Sequence, residues 1–265
     1  MSLIHRYTSK PLGLLLLALS IIVLSASSAA AQATKPTIVL VHGGWADASS
    51  WNRVAARLQR DGYTVIAPAN PLRGVKPDSE YLKSVLSSIS GPIVLVGHSY
   101  GGYMTTDAAT GDPNVKALVY IAAFAPEEGE TLSEVLARNP GTEVGGPNLI
   151  LRPYPGGTDV YINPVDFQRV FCADLSTRKA ALMSAEQRPI AAAALAEPSS
   201  APAWKTIPSW YMVASQDHAI PPATERFMAK RAHAVTVEVN SSHVAMLSHP
   251  EATTKLILAA ARATD

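Results

Sequence analysis

Pro92-Ile-Val-Leu-Val-Gly-His-Ser-Tyr-Gly-Gly102 is the stretch on which the fold turns. Pro92 to Val96 is a continuous, β-branched apolar run. It enters Gly97-His98-Ser99-Tyr100-Gly101 directly, and Tyr103 to Ala109 follows with the composition of a helix. The five residues fit the G-x-S-x-G nucleophile elbow, in which a serine sits at a sharp strand-to-helix turn. Such a turn strains the backbone, and the flanking glycines relieve the crowding that a Cβ would cause. It also pushes the serine Oγ outward and aims the Tyr100 N–H and the helix N-terminus at the same point. The pattern alone is common by chance; its weight comes from the strand before it and the helix after it.

Working outward, similar apolar runs recur at Thr37–Val41, Tyr63–Ala67, Val115–Ile121, Ser209–Val213 and Ala234–Val239. Runs without alternation suit strands buried on both faces of a parallel sheet. The intervening segments have helical stripes: Trp51, Val54, Ala55 and Leu58 in one, and Tyr81, Leu82, Val85, Leu86 and Ile89 in the next. Glu251 to Arg262 forms a last stripe. Strand alternating with helix predicts an α/β fold, a doubly wound and mostly parallel sheet over residues 35–265. The alternation breaks between about Pro126 and Pro208, where prolines and glycines abound and helical pieces appear at Leu132–Arg138 and Asp166–Phe171. An insertion of this size between core strands is expected to ride over the carboxyl edge of the sheet as a helical cap.

The 265 residues are 48% hydrophobic and 16% charged, enough apolar material for one sizeable core. The formal net charge is +1, and no basic stretch alternates with aromatics, which argues against a nucleic-acid partner. The single cysteine, Cys172, excludes an internal disulfide framework and a cysteine-rich zinc site. Residues 1–33 differ from the rest. A basic start (His5, Arg6, Lys10) precedes the apolar Leu12–Leu24. Ala29-Ala30-Ala31 and Ala31-Gln32-Ala33 then fit the A-x-A cleavage pattern. This is the layout of a secretory signal peptide, predicting export to the periplasm or medium with no lasting membrane anchor. The apolar core is also short for a membrane span. Cleavage after residue 31 would remove Arg6 and Lys10 and no acid, leaving 20 Lys and Arg against 21 Asp and Glu.

A serine is a weak nucleophile at neutral pH and needs a base in contact with it. Among the seven histidines, His243 follows the last strand in Asn240-Ser-Ser-His243, in a loop expected to lie near the elbow. His249 is the rival, but Pro250 follows it and it reads as a helix start. Asp217, after the Ser209–Val213 strand, is the candidate acid that orients the imidazole; Asp107 and Asp174 fall in a helix and in the cap. The chain order Ser99, Asp217, His243 suits this architecture. His42-Gly43-Gly44-Trp45 closes the first strand, and its Gly44 N–H, paired with the Tyr100 N–H, is the candidate oxyanion hole. His42 reads as structural. Trp45, Tyr103 and Met246 flank these segments and are candidate substrate-pocket residues.

Four segments together, Leu40-Val-His-Gly-Gly-Trp45, Val94–Gly102, Ala214–Pro222 and Asn240–Met246, resemble the α/β-hydrolase superfamily. The likeness runs from about Lys35 to the C-terminus. More narrowly it points to the bacterial esterase-like branch related to plant methyl esterases and hydroxynitrile lyases. The resemblance implies hydrolysis of a small-molecule ester through an acyl-enzyme, with no metal or other cofactor. The hydroxynitrile lyases of this group carry an acid before the serine; His98 stands there, which favours hydrolysis. Two other readings stay open. One is non-hydrolytic lyase chemistry on the same residues, distinguished by acyl-enzyme trapping. The other is a non-catalytic binding protein of the same fold. The sequence names neither the acyl or alcohol group nor the oligomeric state.

Overall fold

The computed structural model describes residues 35–264, together with Met1 and Ser2. The signal-peptide segment therefore lies outside the described residues. Residues 33–265 form one of the two units into which the chain divides, and the architecture is that of this unit. Strand β1 (Thr37–Val41) is followed by helix α1 (Asn52–Arg60), the short strand β2 (Val65–Ile66) and helix α2 (Val75–Ser87). Next come β3 (Ile93–Ser99), α3 (Tyr100–Ala108) and β4 (Val115–Ala123). The insertion contributes α4 (Leu132–Ala137), β5 (Leu149–Tyr154), β6 (Gly157–Ile162), α5 (Phe167–Phe171), α6 (Thr177–Glu186), β7 (Ile190–Ala191) and α7 (Ala192–Ala196). The chain then re-enters the core through β8 (Ser209–Ala214), α8 (Pro222–Arg231), β9 (Val235–Val239), α9 (Ala245–Ser248) and α10 (Pro250–Arg262).

Six strands make one parallel sheet in the order β2-β1-β3-β4-β8-β9. The first crossover runs from β1 outward to β2, and the chain then returns across β1 to β3. That reversal beside β1 and β3 is where the carboxyl ends of the strands open a crevice. All seven residues of β3 are buried, as are all six of β8, which is what their unbroken apolar runs require.

The two edges depart from the reading of every run as doubly buried. β9 is mostly exposed, with Val235 and Val237 on the surface. Its Val-Thr-Val-Glu-Val alternation is that of a half-solvated edge, and Arg226 of α8 forks its Glu238 from outside. β2 is only two residues long and half-buried.

The insertion also holds a sheet that sequence periodicity did not predict, three antiparallel strands in the order β5-β6-β7. Its centre is the proline- and glycine-rich stretch that reads as loop. Tyr154 and Gly157 close a hairpin around Pro155-Gly156. Proline fixes the first central φ and Gly156 takes a φ of +98°, the residue pair of a type II turn. The strands are short and only partly buried, so they have no strong period to read.

Candidate functional site

The elbow is built by close backbone packing. Ser99, the last residue of β3, has φ +54° and ψ −126°, a conformation that L-residues rarely adopt. A Cβ on Gly97 would lie 2.5 Å from the Gly102 Cα, and one on Gly101 would run into the Val41 carbonyl. A Cβ on Gly43 would lie 2.5 Å from the Ser99 Cβ. Gly43 is therefore the glycine that sterics demand beside the serine. At Gly44 an added Cβ would make only ordinary contact with Ile190, at 3.4 Å.

Ser99 opens into a cavity of about 350 Å³, part of it open to solvent. Gly44, Trp45, Tyr100, Phe124, Leu132, Leu136, Val144, Ile190, Leu195, Ala219 and Ile220 complete its lining. The wall thus combines the β1 and β3 loops with the insertion and the β8–α8 loop, and no charged side chain belongs to it. Tyr100 is the first residue of α3, so its N–H has no partner within the helix. The Trp45 N–H is engaged by the Arg188 carbonyl at 2.8 Å, which takes it out of the candidate oxyanion donors of that loop. Trp45 has φ +58°, and its indole N–H donates to the Val160 carbonyl of β6 at 2.9 Å, tying the insertion to the β1 loop.

His243 and Asp217 are both fully buried in their side chains and are joined by an Nδ1–Oδ2 hydrogen bond of 2.5 Å. A carboxylate can only accept, so Nδ1 carries a proton, and in the neutral ring Nε2 then keeps its lone pair. Nε2 is buried and, among the described residues, has no hydrogen-bond partner. The other Asp217 oxygen, Oδ1, accepts the N–H groups of Ala219 (2.6 Å) and Ile220 (2.9 Å). The β8–α8 loop thus wraps the carboxylate and aims it at the imidazole.

The remaining histidines have other duties. The His98 Nε2–H donates to the His243 carbonyl at 2.9 Å, and the two rings lie 4.8 Å apart. Burial, and then the neighbouring His243, hold His98 well below the ordinary histidine range, so it is neutral. His42 accepts the Asn70 N–H at its Nε2 (2.9 Å), and burial lowers its pKa to about 4. The His249 ring bonds its neighbour Ser248, at 3.0 Å, and His218 faces Glu143 at 3.1 Å.

Two of the three expected pocket residues fall elsewhere. The Tyr103 hydroxyl donates to the carbonyls of Glu130 and Glu197, and the ring stacks on Tyr100. Met246 is fully buried in the core. Neither is part of the cavity lining, because the Tyr103 hydroxyl is tied to carbonyls of the insertion and Met246 is packed into the core. Trp45 does line it. Among the described residues, no group of three or more His, Cys, Asp or Glu side chains is placed to hold a metal ion.

Two carboxyls gain importance that their sequence context did not reveal. Asp174 of the insertion accepts the Ser242 hydroxyl (2.5 Å), the Ser242 N–H (3.1 Å) and the Ser241 hydroxyl (3.1 Å), and so clamps the loop that carries His243. Glu225 of α8 is wholly buried behind Asp217. Neither shows a local signal: Asp174 is distant in sequence from the loop that it holds, and Glu225 reads as an ordinary helix glutamate.

Comparison with known proteins places the fold. The alpha/beta hydrolase family model matches residues 38–256. The carbendazim hydrolyzing esterase of Nocardioides sp. (strain SG-4G) is 34% identical over 113 residues, 38% of this chain and 47% of that protein. The putative methylesterase 11 of Arabidopsis thaliana is 25% identical over 252 residues, 84% of this chain and 63% of that protein. The matches therefore span about half to two thirds of those relatives. Among solved structures, polyneuridine aldehyde esterase superposes with a TM-score of 0.72 at 22% identity, over 85% of this chain and 99% of that one. That likeness is one of fold.

Proposed function

The chain belongs to the alpha/beta hydrolase family, an enzyme with esterase-type relatives, and from that premise we propose that it hydrolyses a small, uncharged, apolar ester through a Ser99–His243–Asp217 triad. One observation carries the reading. The His243 Nε2 is buried and has no hydrogen-bond partner among the described residues, Asp217 holds the proton on the far nitrogen, and the His243 carbonyl accepts from His98, the residue before Ser99. An imidazole so arranged can accept a hydroxyl proton and return it to a leaving group. In the proposed sequence His243 takes the Ser99 proton as Oγ attacks the ester carbonyl. The oxyanion rests on the Gly44 and Tyr100 N–H groups, a kind of contact worth about 3 kcal/mol per donor. His243 then protonates the departing alcohol, and water repeats the two steps to free the acid.

The uncharged cavity wall supports an apolar acyl or alcohol group, since a charged one would lose its hydration without gaining a partner. The test is a fluorophosphonate probe with a panel of chromogenic esters of graded chain length. Ser99 should be the labelled residue, and Ser99→Ala should abolish both labelling and turnover. Labelling of another serine in active enzyme overturns the assignment, as does non-hydrolytic cleavage without any acyl-enzyme. For the N-terminal sequence we propose export, on its basic, apolar and A-x-A succession. Protein from its native compartment should begin near Gln32 or Thr34, and an intact Met1 on soluble cytoplasmic protein would refute this.

A further inference from the structure

Behind the Asp217–His243 pair lies a second carboxyl that the proposed mechanism does not use. Glu225 sits in α8, eight residues beyond Asp217, and is 0% exposed. Its Oε2 accepts the Ala214 N–H at 3.1 Å, where β8 ends; its Oε1 is buried and, among the described residues, without a hydrogen-bond partner. Asp217 is the neighbouring acid. The groups around the pair offer no balancing charge. The Tyr211 hydroxyl of β8 is engaged by the Ala123 carbonyl. Arg226, next in α8, points outward and forks Glu238 of β9. His243 bonds the Asp217 Oδ2 through its Nδ1.

Two adjacent carboxyls in a buried site without a cation cannot both be ionised. The count of donors decides which holds the anion. Asp217 receives three: the Ala219 and Ile220 N–H groups and the His243 Nδ1–H. Glu225 receives one. The negative charge therefore settles on Asp217 and the proton on Glu225.

We propose that Glu225 is a neutral carboxylic acid that donates a hydrogen bond to the Asp217 carboxylate, and that it is a positioning residue acting through Asp217 on His243. The inference rests on the triad reading for its catalytic meaning only. Burial, followed by the Asp217 charge, pushes the Glu225 carboxyl well above its ordinary range, in accord with the donor count. A donor on the outer side of Asp217 draws charge away from the imidazole. It thereby weakens the carboxylate's hold on the protonated base and keeps the lone pair of Nε2 available at lower pH.

Infrared difference spectroscopy and pH–rate profiles on the whole enzyme test this together. Wild type minus Glu225→Gln should show a protonated-carboxyl C=O band at pH 8. Glu225→Gln, an amide replacing a neutral acid, should keep kcat/KM within about twofold and leave the acid limb of its pH profile in place. Glu225→Met fills the space without a donor, and should move that limb upward by roughly half a unit to one unit. A missing band, a shifted limb in Glu225→Gln, an unshifted one in Glu225→Met or failure of Glu225→Gln to fold each overturns the proposal. If Glu225→Met does not fold, the band and the Glu225→Gln profile decide. The band does not depend on turnover, so its presence alongside unlabelled Ser99 would sink the triad reading and leave the carboxyl pair standing.

Discussion

Replacing Asp217 by asparagine changes one atom of the site and has a magnitude that the loop geometry sets. The amide oxygen can keep the two backbone N–H groups now on Oδ1, those of Ala219 and Ile220. Its NH2 then faces His243 Nδ1, which must become the acceptor. The imidazole proton moves to Nε2, and the base is lost. Activity survives only through the flipped amide, whose NH2 would confront both N–H donors and break both bonds. At roughly 1–3 kcal/mol for each buried group left unsatisfied, the flip costs about 2–6 kcal/mol. The competent population falls by about thirtyfold at the low end and about twenty-five-thousandfold at the high end. The upper figure is also about the loss seen when a triad acid becomes an amide. Asp217 is not part of the cavity lining, so KM should stay near that of wild type and the loss should appear in kcat. The assay is turnover of a chromogenic ester at pH 8, with circular dichroism to show that the variant folds. A kcat within tenfold of wild type would refute the argument, because it would mean either that the amide flips freely or that Asp217 does not orient the base.

His243→Ala should lower kcat by several orders of magnitude, as loss of a triad base does, whereas His249→Ala, which removes only a contact to Ser248, should leave it within about twofold; the reverse result would move the base to His249. Burial depresses the His42 pKa from 6.5 to about 4, so the unfolded chain takes up this proton first as pH falls. Stability from this group is complete above about pH 6.5 and is lost toward pH 4, by about 3 kcal/mol in all. Urea unfolding between pH 7 and 4.5 should follow that fall, and His42→Gln should flatten it; an equal fall in both proteins would discard His42 as its source. Tyr100→Phe removes the 2.9 Å bond from its hydroxyl to the buried Asp78. It should cost about 1–2 kcal/mol in denaturant unfolding with kcat little changed, since the proposed mechanism uses the Tyr100 backbone N–H and not its hydroxyl; an unchanged midpoint would show that the bond contributes nothing.

What the sequence determined by itself was everything carried by local chemistry. A strand ending in Gly97-His-Ser-Tyr-Gly101 and passing at once into a helix has few ways to fold, because the crowding around Ser99 is met by its own neighbours. The buried strands β3 and β8 announce themselves as unbroken apolar runs. The order of Ser99, Asp217 and His243 along the chain can be read without knowing any distance. Tertiary structure decided what depends on partners remote in sequence. It put β9 and β2 at the edges, where only one neighbour covers them. It made a sheet of the insertion's prolines and glycines, since those strands are stabilised by each other and not by any period of their own. It turned Tyr103 and Met246 into packing, because a helix of one or two turns presents each side chain in one direction and sequence proximity to Ser99 or His243 does not choose that direction. It engaged the Trp45 N–H with the Arg188 carbonyl, 143 residues away, and so removed it from the candidate oxyanion donors. The same reason hides Asp174 and Glu225 from a sequence reader: a carboxyl's role is set by which donors surround it, and here most of those donors arrive from other parts of the chain.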